Sequence, residues 1–62
     1  MKKYKLYRIP DFETIHSFFA KDMQEAIDRI ESLPKYTKLP NEKNYNLFID
    51  YNQVVYTLQE LK

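Results

Sequence analysis

Asp22-Met23-Gln24-Glu25-Ala26-Ile27-Asp28-Arg29-Ile30-Glu31-Ser32-Leu33 is the stretch on which the fold turns. Met23, Ala26, Ile27, Ile30 and Leu33 recur at spacings of three and four, so a helix gathers them into one apolar stripe. Asp22 can accept from the orphan amides of a helix start. Glu25 lies in the first turn, where an acid complements the helix dipole, and stands four residues before Arg29, a favourable ion-pair spacing. Pro34 disfavours helical geometry at Leu33 and ends the run. The spacing therefore predicts an amphipathic helix over 23–33. At roughly 1.5 Å per residue it is about 16 Å long, a match for the roughly 18 Å of a short strand, so it can lie across a small sheet.

On the N-terminal side, residues 3–9 read Lys-Tyr-Lys-Leu-Tyr-Arg-Ile, a near period-two mixture suited to a half-buried strand. Pro10-Asp11-Phe12 makes a corner, and 13–20, rich in Thr, Ile and Phe, reads as the returning strand. On the C-terminal side, 34–44 reads as a long polar connection anchored only by Tyr36 and Leu39. Residues 45–50, beginning at Tyr45, and 53–58 form a second hairpin about Tyr51-Asn52, with Asn52 the residue best able to accept positive φ. Residues 59–62 are left as a tail. The expected fold is α+β: one domain over 1–62, ββαββ, with a four-stranded, mainly antiparallel sheet and the helix on one face. A helix returning along the sheet makes strand three run the same way as strand two. Pairing strand three with strand one then keeps all neighbours antiparallel, in the order 2-1-3-4.

Composition bounds what such a domain can do. The 62 residues carry 10 Lys and Arg against 9 Asp and Glu, a net charge of +1 with no strong bias toward polyanions. At this length folding hides only about 60% of the chain's surface, so the core is thin. Hydrophobic residues reach 44% and aromatics 16%, too many for a disordered segment. Cys is absent, which excludes disulfides, cysteine-ligated zinc and a thiol nucleophile, and suits a reducing cytoplasm. Gly is also absent, which excludes glycine-rich phosphate loops. No apolar run approaches the roughly 20 residues of a membrane span, and no apolar leader follows Lys2 and Lys3. A soluble, cytoplasmic protein is expected. The Lys, Asn, Ile and Tyr bias fits a small accessory protein of a bacterium or mobile element.

One helix covers one face of a sheet, so the other should be polar. Here both alternation classes are apolar. Assigning Tyr4, Leu6, Ile15, Phe19, Leu47, Ile49, Val54, Tyr56 and Leu58 to the helix side leaves Lys5, Tyr7, Ile9, His16, Phe18, Phe48 and Val55 outward. A one-residue slip exchanges the sets but not this conclusion. An uncovered apolar face marks an interaction surface. The candidate face is Tyr7, His16, Phe18, Phe48 and Val55, with a homodimer or another protein as partner.

Catalysis finds little support. His16 is the sole histidine, and next to Ser17 within a strand the two side chains point to opposite faces, so they cannot pair as base and nucleophile. Asp22, Glu25, Asp28 and Glu31, three apart, form a solvated helix face without a histidine partner, so neither a metal nor a small-molecule cofactor is expected. The expected function is a non-enzymatic interaction module that self-associates through the uncovered aromatic sheet face or the edge of an outer strand. The alternative is a binder of single-stranded nucleic acid, with Lys3, Lys5 and Arg8 on phosphates and Tyr4 and Tyr7 as stacking platforms.

Overall fold

The computed structural model describes residues 1–40 and 46–62. The first hairpin forms as its alternation requires: β1 (Lys2–Ile9) pairs antiparallel with β2 (Glu13–Ala20). At the corner Phe12 takes positive φ, 56°, and its amide donates to the Arg8 carbonyl at 2.6 Å. Leu6 faces His16 whereas Tyr7 faces Thr14, so Ile15 is an extra residue bulged out of β2.

The helix α1 (Met23–Glu31) follows its stripe, with Asp22 as N-cap accepting from the Glu25 amide at 2.9 Å. Glu25 reaches back to the Lys21 amide, also at 2.9 Å, rather than to Arg29. The helix closes at Ser32, two residues before Pro34, so Leu33 lies beyond it and is exposed. Ala26 and Ile30 are the buried part of the stripe, with Met23 and Ile27 packed at its margins.

Three strands follow, not two: β3 (Tyr36–Lys38), β4 (Leu47–Asp50) and β5 (Val55–Leu61). The expected polar connection over 34–44 thus contains a short strand, held because the Tyr36 ring is buried in the core. The remainder of that connection over 41–44, and the strand start at Tyr45, lie outside the described residues. The expected tail belongs to β5, where Leu61 pairs with Lys3. In the second hairpin Gln53, not Asn52, takes positive φ, 66°, because Asp50 already holds the Asn52 amide through its side chain at 2.8 Å.

The five strands are ordered β2-β1-β5-β4-β3, and every pairing is antiparallel. This replaces the expected order 2-1-3-4, and the reason is parity. The strand after the helix does run with β2, but that strand is β3. Inserting it reverses β4 and β5, so β5 rather than β4 is antiparallel to β1. Both edge strands, β2 and β3, touch α1. Flat, the two edges would lie about 19 Å apart, four strand spacings. Yet His16 Nε2 on β2 is 3.3 Å from the Tyr36 hydroxyl on β3. The sheet is therefore curled, its concave side closed on the helix by Tyr4, Leu6, Phe48, Tyr56 and Leu58.

Candidate interaction surface

The register assigns each side chain to a face. Tyr4, Leu6 and Arg8 of β1 share the concave face with His16, Phe18 and Ala20 of β2, Tyr56 and Leu58 of β5, Phe48 and Asp50 of β4, and Tyr36 of β3. The convex face carries what remains, in cross-strand rows. Ile9 lies beside Val55, Ile49 and Thr37; Tyr7 lies beside Thr57 and Leu47. No described element covers these rows. Thr57 nevertheless is only 5% exposed, so its neighbours close over it; its hydroxyl accepts from Gln59 Nε2 at 2.7 Å. The next row, Ser17-Lys5-Gln59, is polar, and beyond it Phe19, Lys3 and Leu61 make a smaller patch.

Of the expected interaction face, Tyr7 and Val55 lie on the convex side. His16, Phe18 and Phe48 do not. Phe48 has no exposed surface at all, Phe18 stacks on Tyr4 with ring centroids 6.3 Å apart, and His16 meets Tyr36 edge-on at 5.8 Å. Conversely Phe19, Leu47 and Ile49, assigned to the helix side, face outward. Both errors are one-residue slips confined to β2 and β4, while β1 and β5 stand as read.

The slip in β4 has a chemical origin. Asp50 ends the strand, and a carboxylate is expected to face water. Here it is buried, because it accepts from the Tyr56 hydroxyl at 2.7 Å, the Val54 amide at 3.0 Å and the Asn52 amide at 2.8 Å. The Tyr56 bond, the two amides and the Lys35 charge hold its carboxyl below the usual range against the opposing effect of burial. Burial and the Asp50 partner push the Tyr56 phenol up to about 12. An Asp two residues before Asn52, at the end of a strand, is the usual start of a side-chain turn. That signal, which would have allowed Asp50 an inward place, identifies Leu47 and Ile49 as outward residues.

The candidate nucleic-acid residues divide as well. Lys3, Lys5 and Tyr7 are convex. Tyr4 is wholly buried and presents no ring to a base, its hydroxyl without a partner among the described residues and its ionisation pushed up by burial. Arg8 lies on the concave face, its Nη2 held 2.6 Å from both Asp11 Oδ2 and Glu13 Oε2. Among the described residues no cluster of three or more His, Cys, Asp or Glu is arranged to hold a metal, and no helix is long and apolar enough to cross a membrane. No protein-family model, curated protein or solved structure matches the chain.

Proposed function

We propose that this chain is a non-enzymatic interaction module that self-associates through the convex face of its sheet. The observation supporting this reading is the pair of rows Ile9-Val55-Ile49 and Tyr7-Thr57-Leu47, apolar but for the buried Thr57, on the face opposite the helix. A specific interface removes about 800 Å² from each partner. The chain exposes 4365 Å², so one sheet face is of the right scale. Burying it adds the apolar area that a thin core lacks. Sedimentation from micromolar to submillimolar concentration tests the proposal. Dimers should form, and a variant with both Ile49→Lys and Val55→Lys should stay monomeric while keeping its circular dichroism spectrum. A parent chain that remains monomeric throughout overturns it.

A second reading, a single-stranded nucleic-acid binder, is supported by one observation: Lys3 Nζ lies 4.8 Å from the centre of the half-exposed Phe19 ring, in line with Lys5 and Tyr7 on the same face. An aromatic beside ammonium groups suits a stacked base and its phosphate. Fluorescence anisotropy with short oligonucleotides should then show binding that falls steeply with salt and weakens in Lys5→Ala. Absence of binding at low salt removes this reading.

A further inference from the structure

The surface between the free edge of β2 and the C-terminal end of α1 holds two adjoining hollows. One, of about 310 Å³, is bounded by His16, Ser17 and Phe18 against Arg29, Ile30 and Leu33. The other, of about 530 Å³, continues past Ile15 and His16 to Leu33, Pro34, Lys35 and Tyr51. His16 and Leu33 belong to both, so they form a single groove. Successive strand residues point to opposite faces, and a hollow over one face would touch every second residue. This one is lined by 15 through 18 without a break, so it runs along the strand's edge.

That edge has backbone groups to offer. Among the described residues β2 pairs only with β1. The Phe19 carbonyl accepts from Arg29 Nη1 at 3.4 Å, which shows that it points away from β1. In an antiparallel pair both polar groups of alternate residues point the same way, so the N–H and C=O of Ser17, two residues back, present themselves on the same open edge. A four-residue stretch is about 14 Å long, enough for an extended peptide.

Charge selects the occupant. Arg29 stands at one end of the groove and Lys35 at the other, and among the described residues no carboxylate lines it. Of the acids around it, Asp28 accepts from Gln24, the exposed Glu31 does not line the groove, and both oxygens of Asp50 accept within its own hairpin, although its charge still reaches Lys35. The half of the groove next to Lys35 is mainly apolar, walled by Ile15, Leu33 and Tyr51, while Ser17 and Ser32 join Phe18 and Ile30 in lining the half next to Arg29. We propose that this groove docks an extended segment of a partner protein, adding it as a strand to β2, with an acidic side chain at each end of the bound stretch and an apolar one at its centre. The site shares no residue with the two rows proposed for self-association and does not depend on dimerisation.

The test uses the full chain labelled with ¹⁵N and the capped pentapeptide acetyl-Glu-Val-Ile-Val-Asp-amide. Its first, third and fifth side chains fall on one side of an extended backbone, facing the two cations and the apolar centre. Saturable amide shifts are expected at 15–18, Arg29, Leu33, Lys35 and Tyr36. A peptide with Lys in place of both acids should bind about tenfold more weakly or worse, as loss of charge-assisted contacts requires. N-methylation of the central Ile, which removes one strand hydrogen bond without altering the protein, should also weaken binding. The double variant Arg29→Glu, Lys35→Glu should reverse the preference for charge. Three results would each overturn the proposal: no saturable shifts at millimolar peptide, indifference to the sign of the peptide's charge, or shifts confined to Tyr7, Ile49 and Val55. A fourth would do so too: shifts at 15–18 that follow protein concentration alone, assigning the edge to a second copy of this chain.

Discussion

Asp50 and Tyr56 are the residues whose chemistry reaches furthest into the fold. Their bond joins the end of β4 to β5 inside the core, while the same carboxylate ties down the turn through two amides. Because the folded Asp50 ionises below its unfolded range, its contribution is complete above about pH 4 and is lost as pH falls through the folded value. Tyr56 works in the opposite sense. Its folded pKa, about 12, lies above the unfolded value, so its contribution is complete below about pH 10 and is lost between there and about pH 12. Stability should therefore be highest between those limits. Tyr56→Phe, which removes a hydrogen bond to a charged group, should cost about 1.5–3 kcal/mol at neutral pH and make the alkaline decline shallower. Urea melts at several pH values measure both effects.

At the scale of the element, α1 distributes its stripe unevenly. Ile30 is 2% exposed, whereas Ile27 is half-buried at the margin of the core. Both were equivalent by spacing. Ile30→Ala should cost about 2–5 kcal/mol, a large part of what a chain this short possesses, and Ile27→Ala distinctly less. Asp28 lies on the solvent side and bonds only Gln24 among the described residues, at 3.0 Å, so Asp28→Ala should change stability by no more than about 0.5 kcal/mol. Melts followed by circular dichroism rank the three. If Asp28→Ala unfolds the chain while Ile30→Ala does not, the helix packs by its other face. The same element shows how much a cap needs context: Asp22 was legible as the N-cap, but the partner of Glu25 was not, because the Lys21 amide lies in the turn from β2, whose geometry sets its distance.

For the whole molecule, the consequence of the convex face is that stability and association are linked. Partner binding to the folded state alone raises the melting temperature with concentration, so a self-associating chain should show a Tm that climbs on concentrating it, and the Ile49→Lys, Val55→Lys variant a Tm that does not. Calorimetry across a concentration series separates them. The excess of apolar residues on both faces was legible from the sequence, because it holds in either register and so needs no knowledge of pairing. Which residues compose the outer face was not. β1 and β5 follow simple alternation, but in β2 a bulge at Ile15 displaces the pattern, and in β4 a buried carboxylate occupies an inward position that alternation reserves for apolar groups.

The helix, the first hairpin, the α+β class and the surplus of apolar surface follow from local spacing, since each depends on residues within a few positions of one another. Strand order, the third strand at Tyr36 and the convex rows depend on pairings across the chain. A strand of three residues has too little alternation to announce itself, and β3 exists because the Tyr36 ring packs edge-on against Tyr56 at 5.1 Å. Once that contact forms, it reverses the direction of everything after it and exchanges the neighbours of β1. The long-range contacts of Tyr36 and its strand, invisible to any window along the sequence, thus decide the topology and with it the composition of the surface proposed to bind a partner.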